Sequence, residues 1–264
     1  MKANEHVEPG HHSEPYGVMQ SPIKRIVINQ PNYIPWRGYF DLIGDADLFL
    51  FHDDVNYTKQ DWRNRNRIKT QKGTIWLTVP VVKTPSDTQI KDIYIDYDHP
   101  WVAAHQKALT AAYGKAPYFE SYAQEFFDIL EQRHERLLDL NVDTTKFIMR
   151  SFQISTPTGF VSEFKLSGTK TTKLVQILRA CAGHDYLSGP AAKAYLDQDM
   201  FMRAGLGLAW KGYEYAPYPQ LWGAFEPQVT ALDLLFNCGP NALALLKSRV
   251  NHERALEPKN SENR

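Results

Sequence analysis

The sequence predicts an α/β protein, with a sheet containing parallel strands in the N-terminal half and a mostly helical C-terminal half. Apolar runs of strand length stand at residues 25–28 and 48–51, and residues 36–44 between them have helical apolar spacing. This βαβ pattern makes the two strands parallel, with a right-handed crossover. From residue 99 onward, apolar residues such as Phe126 and Leu130 recur at helical spacing, which predicts a long helix or a broken pair.

Shorter patterns predict the remaining elements. Residues 75–81 and the alternating residues 90–96 are predicted strands, and Pro80 marks an edge strand or the end of the first one. A turn is expected at the stretch YLSGP, residues 186–190, a strand near residues 206–210, and a last helix from about Thr230.

A single α/β domain is expected over residues 25–250. It would lie between a disordered tail at residues 1–24 and a polar tail at residues 251–264. A helical subregion from about residue 100 stays open as an alternative division of the chain.

The composition limits the kinds of partner and the cellular location that are expected. The 30 Lys and Arg residues balance 30 Asp and Glu residues, so no overall positive charge attracts nucleic acid, and no nucleic-acid partner is expected. No stretch approaches the roughly 20 apolar residues of a bilayer span, so no membrane insertion is expected. Cys181 and Cys238 offer neither a disulfide framework nor metal-binding spacing, which indicates a reducing, cytoplasmic location.

Polar residues follow both strands of the predicted βαβ unit. Open α/β sheets bind ligands beyond the carboxyl ends of their parallel strands, where His52, Asp53 and Asp54 would lie. All three are candidate catalytic residues, since a carboxylate or an imidazole can act as a general base. Asp53 and Asp54 are also candidate ligands for Mg²⁺, a possible cofactor. Ordinary turn chemistry and a half-buried histidine at a strand end stay open as alternatives.

The loop after the first strand, NQPNYIPWRGYF at residues 29–40, combines amides, prolines and aromatics. Gln30 and Asn32 offer hydrogen-bond donors and acceptors, and Tyr33 and Trp36 offer walls for a ligand. We therefore expect the loop to face a ligand. A proline-stiffened turn that begins the helix after Trp36 would account for the same residues.

The densest group of basic residues surrounds the stretch RNRNR, residues 63–67. If this stretch is extended, alternation places its three arginines on one face and its asparagines on the other. Because guanidinium groups suit phosphates and carboxylates, Lys59, Arg63, Asn64 and Arg65 are candidate substrate-binding residues. A solvated charged face is the alternative.

A third candidate region is rich in tyrosine and proline, at residues 213–237. Its aromatics, including Tyr218, are suited to a wall for a sugar or a base, although aromatics also fill cores. Asp233 falls in the first turn of the predicted last helix. Because the helix dipole stabilises a carboxylate at this position, a purely structural role is the alternative to substrate binding.

Common catalytic motifs are absent from the sequence. It contains no GxSxG elbow, Walker A loop, GxGxxG or HExxH motif. This argues against common hydrolases, P-loop ATPases and dinucleotide oxidoreductases.

Several long stretches carry a family resemblance between residues 25 and 245. These are QPNYIPWRGYFDLIGDADLFLFHDDVNYTKQDWRNRNRIKT, WLTVPV, KAPYF, YLSGPAAKAYL, YPQ and LDLLFNCGP, in this order. Together they resemble the WbqC-like protein family. The positions that match the family pattern are Gln30, Pro31, Tyr33, Pro35, Trp36, Gly38, Asp53, Asp54, Lys59, Trp62, Arg63, Asn64, Arg65, Gly189, Pro219, Gln220, Asp233 and Asn237.

The resemblance implies a transferase of bacterial surface-polysaccharide biosynthesis, of the O-antigen type. The implied reaction moves an acyl or aminoacyl group onto a nucleotide-linked amino sugar. The matching positions Gln220 and Asp233 join Tyr218 of the aromatic wall as candidate substrate-binding residues. His52 stands where the family pattern leads us to expect an apolar residue, and Asn56 where we expect glutamine. Both residues adjoin the aspartates, so a substrate or acceptor different from that of other family members stays an open alternative.

Two other functions stay open. One is a non-catalytic module that binds a nucleotide-sugar or a partner, and the other is a nucleotidyl or glycosyl transferase. The expected partners are a small-molecule substrate, either a nucleotide-sugar or an acyl donor, and an acyl carrier or another enzyme of the pathway.

Overall fold

The computed structural model describes residues 25–168 and 170–259. The strands are β1 (Arg25–Asn29), β2 (Leu48–Phe51), β3 (Arg65–Thr70), β4 (Gly73–Thr78), β5 (Thr158–Phe160), β6 (Asp185–Ser188), β7 (Gly207–Trp210) and β8 (Glu253–Leu256). The helices are α1 (Arg37–Gly44), α2 (Trp101–Tyr113), α3 (Phe119–Glu131), α4 (Leu137–Ser151), α5 (Lys170–Ala180), α6 (Gln198–Ala204), α7 (Ala231–Cys238) and α8 (Ala242–Leu246). The tail predicted at residues 1–24 lies outside the described residues.

The main sheet has the strand order β5-β2-β1-β6-β7-β8. Its first five strands pair in parallel, and β8 joins the edge antiparallel to β7. The predicted α/β class is confirmed, and β1, α1 and β2 form the predicted crossover. The described helices include none long and apolar enough to cross a membrane.

The sheet is buried on both faces because helices cover each side. Val27 and Phe49 point into the larger apolar cluster, which contains α1, α4 and α7. The alternate residues Ile26 and Leu48 point into the smaller one, which α5 and α6 complete. The strands therefore have continuous apolar sequences, such as the LFLF of β2.

Three predicted segments differ in the structure. Residues 90–96 form a turn of 3₁₀ helix at Ile90–Asp92 followed by isolated bridges, because Ile90 and Ile93, three positions apart, are both buried. Part of the stretch YLSGP, predicted as a turn, belongs to β6. The predicted polar tail contains β8, which Arg254 holds through an ion pair with Asp185.

A buried ionic cluster fixes α1 against the end of β7. The Nζ atom of Lys211 lies 2.5 Å from Oδ2 of Asp41 and 2.5 Å from Oδ2 of Asp45. The Tyr215 hydroxyl donates to Asp41 at 2.9 Å, so the carboxylate is paired and hydrogen-bonded. Since α1 begins directly after the loop that follows β1, this cluster also fixes one end of that loop.

We expect Lys211→Met to lower the free energy of unfolding by about 3 kcal/mol, because it leaves a buried carboxylate without its main cation. Urea unfolding measures the change. The control is Lys193→Met, which removes an exposed pair with Glu253 and should cost less than about 1 kcal/mol. Equal losses in the two variants would contradict the role given to the buried cluster.

Candidate functional site

The ends of β1 and β2 lie side by side at the carboxyl edge of the sheet. Asn29 stands opposite Phe51 in the parallel register, and the backbone N–H of His52 donates to the carbonyl of Asn29 at 2.8 Å. The loop after β1 and the polar residues after β2 therefore start from adjacent positions. This is the juxtaposition that the βαβ pattern predicts.

His52, Asp54 and Lys173 form a charged cluster at this edge. Nε2 of His52 lies 3.7 Å from Oδ1 of Asp54, and the Lys173 ammonium contacts the other carboxylate oxygen. Burial lowers the pKa of His52. The carboxylate of Asp54 raises this pKa, and the ammonium group of Lys173 lowers it. The imidazole is therefore neutral at pH 7 and able to accept a proton, and its side chain is still 24% exposed.

Asp53 makes a different contact. It is buried, and it accepts hydrogen bonds from the backbone N–H of Ser162 at 3.0 Å and from the Ser162 hydroxyl at 2.6 Å. Ser162 follows β5, so this carboxylate ties the end of β2 to the end of β5. Asp53 thus has a structural contact, whereas Asp54 lies beside the histidine.

The donor set around the two aspartates does not fit Mg²⁺. Both oxygens of Asp53 are bonded to Ser162, and the Lys173 ammonium lies against Asp54. Across residues 25–168 and 170–259, no group of three or more His, Cys, Asp or Glu side chains could hold a metal ion. Mg²⁺ binding here would have to displace Ser162 or Lys173 from these carboxylates.

A pocket of about 340 Å³ opens beside the loop after β1. Two indoles and three side-chain amides contribute to its walls. The lining residues are Asn32, Pro35, Trp36, Trp62, Asn66 and Gln228. Two of the predicted substrate-binding residues, Asn32 and Trp36, therefore face a common space.

The Trp36 indole is held in place from several sides. Its ring centroid lies 5.2 Å from that of Tyr213 and 5.8 Å from that of Tyr215. It also folds over Gly38, where an added Cβ would stand 2.3 Å from the ring. Only glycine at this position allows the indole to lie so close to the start of α1.

The other two predicted residues of the loop point elsewhere. Tyr33 is fully buried and its hydroxyl bonds to Nδ1 of His105 at 2.9 Å, so it belongs to the core and not to a pocket wall. Oε1 of Gln30 is buried without a hydrogen-bond partner in the described part of the chain. This oxygen remains available to a ligand or to water.

The asparagines of the RNRNR stretch support the backbone. Nδ2 of Asn64 donates to the Val79 carbonyl at 2.8 Å, which places this predicted binding residue inside the fold. Nδ2 of Asn66 donates to the carbonyls of Tyr33 and Ile34 at 3.2 and 2.9 Å. Asn66 therefore joins the loop after β1 to β3 at the floor of the pocket.

The basic residues separate into two groups. Arg63 precedes β3 and pairs with Asp61, and Lys59 is exposed outside the pocket lining. Arg65 and Arg67 lie within β3, with their guanidinium carbons 4.3 and 5.6 Å from the ring centroid of Trp76. The face that alternation predicts is thus formed, but Arg63 is not part of the strand.

Tyr218, Gln220 and Asp233 are brought together in the interior behind the pocket. The Tyr218 hydroxyl and the Gln220 amide each donate to Oδ1 of Asp233 at 2.8 Å, and the Tyr113 hydroxyl donates to Oδ2 at 2.9 Å. Burial raises the pKa of Asp233 and these three donors oppose the rise. This network anchors the segment that carries Gln228 into the pocket wall.

Sequence reasoning missed several residues of this region. Lys173 and Ser162 reach the carboxyl edge from distant segments, and Gln228 reaches the pocket in the same way. Nothing local in the sequence marks them. Trp62 had a signal, because it adjoins the basic stretch and matches the family pattern.

The fold and this edge define an α/β protein with a pocket at the carboxyl ends of a mainly parallel sheet. Residues 30–245 match the WbqC-like protein family, and the chain belongs to that family. It is also similar to a Mycobacterium tuberculosis (strain ATCC 25618 / H37Rv) protein with the name Uncharacterized protein Rv1507c. The two are 43% identical over 223 residues, which cover 83% of this chain and 96% of that protein. No solved structure matches the chain.

The His52 cluster predicts a specific set of titrations. We expect an NMR midpoint for the His52 ring below its ordinary value of 6.5, since burial disfavours the imidazolium. Lys173→Met should raise this pKa by removing a cation, and Asp54→Asn should lower it by removing an anion. His52→Gln identifies the resonance, and identical midpoints in all variants would show that the three groups are not coupled.

Proposed function

We propose that the chain is a transferase of surface-polysaccharide biosynthesis that moves an acyl or aminoacyl group onto a nucleotide-linked amino sugar. The single observation that carries the proposal is the pocket of about 340 Å³ between Trp36 and Trp62, with side-chain amides in its wall. A cytoplasmic location and an acyl-carrier or pathway-enzyme partner are parts of the same proposal.

The pocket chemistry suits a sugar ring. Indole faces pack against the apolar C–H faces of a sugar, and Trp36 and Trp62 supply two of them. The amides of Asn32 and Gln228 each combine a donor and an acceptor, which match sugar hydroxyl groups. The volume lies at the small end of the range typical for ligand pockets, roughly 300–1,000 Å³, and so favours a compact group.

We assign the base for the transfer to His52, whose backbone adjoins the start of the loop that lines the pocket. In the proposed step, the sugar amine attacks the carbonyl carbon of the acyl donor, so that a C–N bond forms and the bond to the leaving group breaks. His52 accepts the amine proton and returns it to the leaving group. Asp54 stabilises the imidazolium that forms, and burial, with a smaller contribution from Lys173, lowers the pKa of the resting imidazole.

A non-catalytic module that binds a nucleotide-sugar is the second candidate. The contact of Asp54 with Lys173 and that of Asp53 with Ser162 favour it, because both carboxylates already have partners. Such a module would bind the sugar in the same pocket and release it unchanged.

The experiment incubates the purified protein with nucleotide-linked amino sugars and acyl or aminoacyl donors, and follows the sugar mass by mass spectrometry. A mass increase equal to the acyl group supports the transferase. Sugar binding with no mass change for any donor favours the binding module. A sugar that binds equally well after Trp36→Leu and Trp62→Leu would contradict the placement of the site.

For the transferase, we expect Trp36→Leu and Trp62→Leu each to raise KM for the sugar about tenfold, since each removes one indole wall. His52→Gln should instead lower kcat by a factor of about 10²–10⁴ with KM nearly unchanged. The matched control is Tyr195→Leu, which removes an exposed aromatic that does not line the pocket. An unchanged kcat in His52→Gln would remove the histidine from the mechanism.

A further inference from the structure

One face of the β3–β4 hairpin collects three basic residues. Alternation along β3 places Arg65, Arg67 and Lys69 on the same side, and Trp76 of β4 stands opposite Arg67 in the antiparallel register. Lys69 is buried, and its Nζ donates to Oε1 of Gln220 at 3.1 Å and to the Ala224 carbonyl at 2.6 Å. The face is therefore covered at its Lys69 end and open at its Arg65 end.

The two arginines at the open end carry uncompensated charge. Neither forms an ion pair within residues 25–168 and 170–259, whereas Arg63 just before the strand pairs with Asp61. Both Nε atoms are buried without a hydrogen-bond partner in this part of the chain. The guanidinium carbons lie 4.3 and 5.6 Å from the Trp76 ring centroid, so cation–π contacts restrict both arginines before any anion binds.

Exposed indoles lie next to these cations. Trp62 and Trp76 are each 43% exposed, and their ring centroids are 5.4 Å apart. Trp62 also lines the sugar pocket, so the indole pair continues directly from the pocket wall. Large exposed aromatics beside unpaired arginines are typical of surfaces on which nucleobases stack.

Arg67 stands at the junction of the two surfaces. Its Nη2 donates to Oε1 of Gln228 at 2.6 Å, and Gln228 lines the pocket. On its other side, Arg67 reaches Trp76 of the indole pair. In a nucleotide-linked sugar, the diphosphate is likewise between the sugar and the nucleoside. The order of groups in such a ligand thus matches the order of pocket, Arg67 and Trp76 along the protein.

We propose that this face of the hairpin is a nucleoside diphosphate site, in which Arg65 and Arg67 bind the phosphates and Trp76 stacks on the base, while Trp62 faces the sugar. The inference deepens the proposed function, because it rests on the pocket as the sugar site. It assigns the phosphate contacts to Arg65 and Arg67, not to Lys59 and Arg63. Each guanidinium can donate two parallel hydrogen bonds to phosphate oxygens.

The test measures binding of uridine diphosphate, adenosine diphosphate and inorganic pyrophosphate by calorimetry, with tryptophan fluorescence as the second signal. We expect a nucleoside diphosphate to bind more tightly than pyrophosphate. Arg65→Gln and Arg67→Gln should each weaken its binding about tenfold, the loss of one charge-assisted contact. Trp76→Leu should remove the preference for the nucleotide over pyrophosphate.

Lys72→Gln is the matched control, because it removes the same charge from the exposed turn of the same hairpin. It should change the affinity less than about twofold. Arg65→Lys keeps the charge without the planar fork and should bind with intermediate affinity. Circular dichroism and the thermal midpoint verify that each variant is folded.

The outcomes separate this inference from the proposed transfer. If no nucleoside diphosphate binds at millimolar concentration, or if Arg65→Gln and Arg67→Gln bind as tightly as Lys72→Gln, the diphosphate site is wrong. If nucleotide binding follows the expected pattern while no donor gives a transfer product, the site stands and the transferase proposal fails. If transfer proceeds with an unchanged KM in both arginine variants, the transferase stands and the diphosphate site fails.

Discussion

The parallel pairing of β1 with β2 is the constraint on which the rest of the edge depends. It sets the His52 backbone against Asn29, so the loop after one strand and the polar residues after the next diverge from a common point. The loop then returns to β3, where Asn66 holds two of its carbonyls. The pocket lies between these fixed backbones.

Buried polar side chains do most of the positioning around this space. Asp53 joins two strand ends, Asn66 joins loop to hairpin, and Asp233 gathers the hydroxyls and the amide that anchor the segment before α7. A buried polar group is costly unless it is hydrogen-bonded. These bonds therefore restrict the positions of both the buried group and its partners. Asp53 and Asp233, which the sequence presents as candidate site residues, are among the side chains that make these supporting contacts.

The sequence was sufficient for the parts of the structure that depend on local pattern. The βαβ unit and its carboxyl edge follow from strand periodicity and from the direction of parallel strands. The burial of Tyr33 could not be predicted, because its partner His105 lies 72 positions away. The same holds for Lys173, which reaches Asp54 across 119 positions. The strand within YLSGP escaped prediction since it is short and ends in turn-forming residues, while its pairing with β1 and β7 supplies its stability.

The bond between Arg67 and Gln228 joins residues 161 positions apart in the chain. Contacts of such separation require the closure of a long loop, and the chain entropy lost on closing it must be met before the contact stabilises the fold. No fragment that ends before Gln228 contains both walls of the pocket. The pocket is therefore a property of the completed chain, and any compound held there adds its binding free energy to the stability of the entire domain.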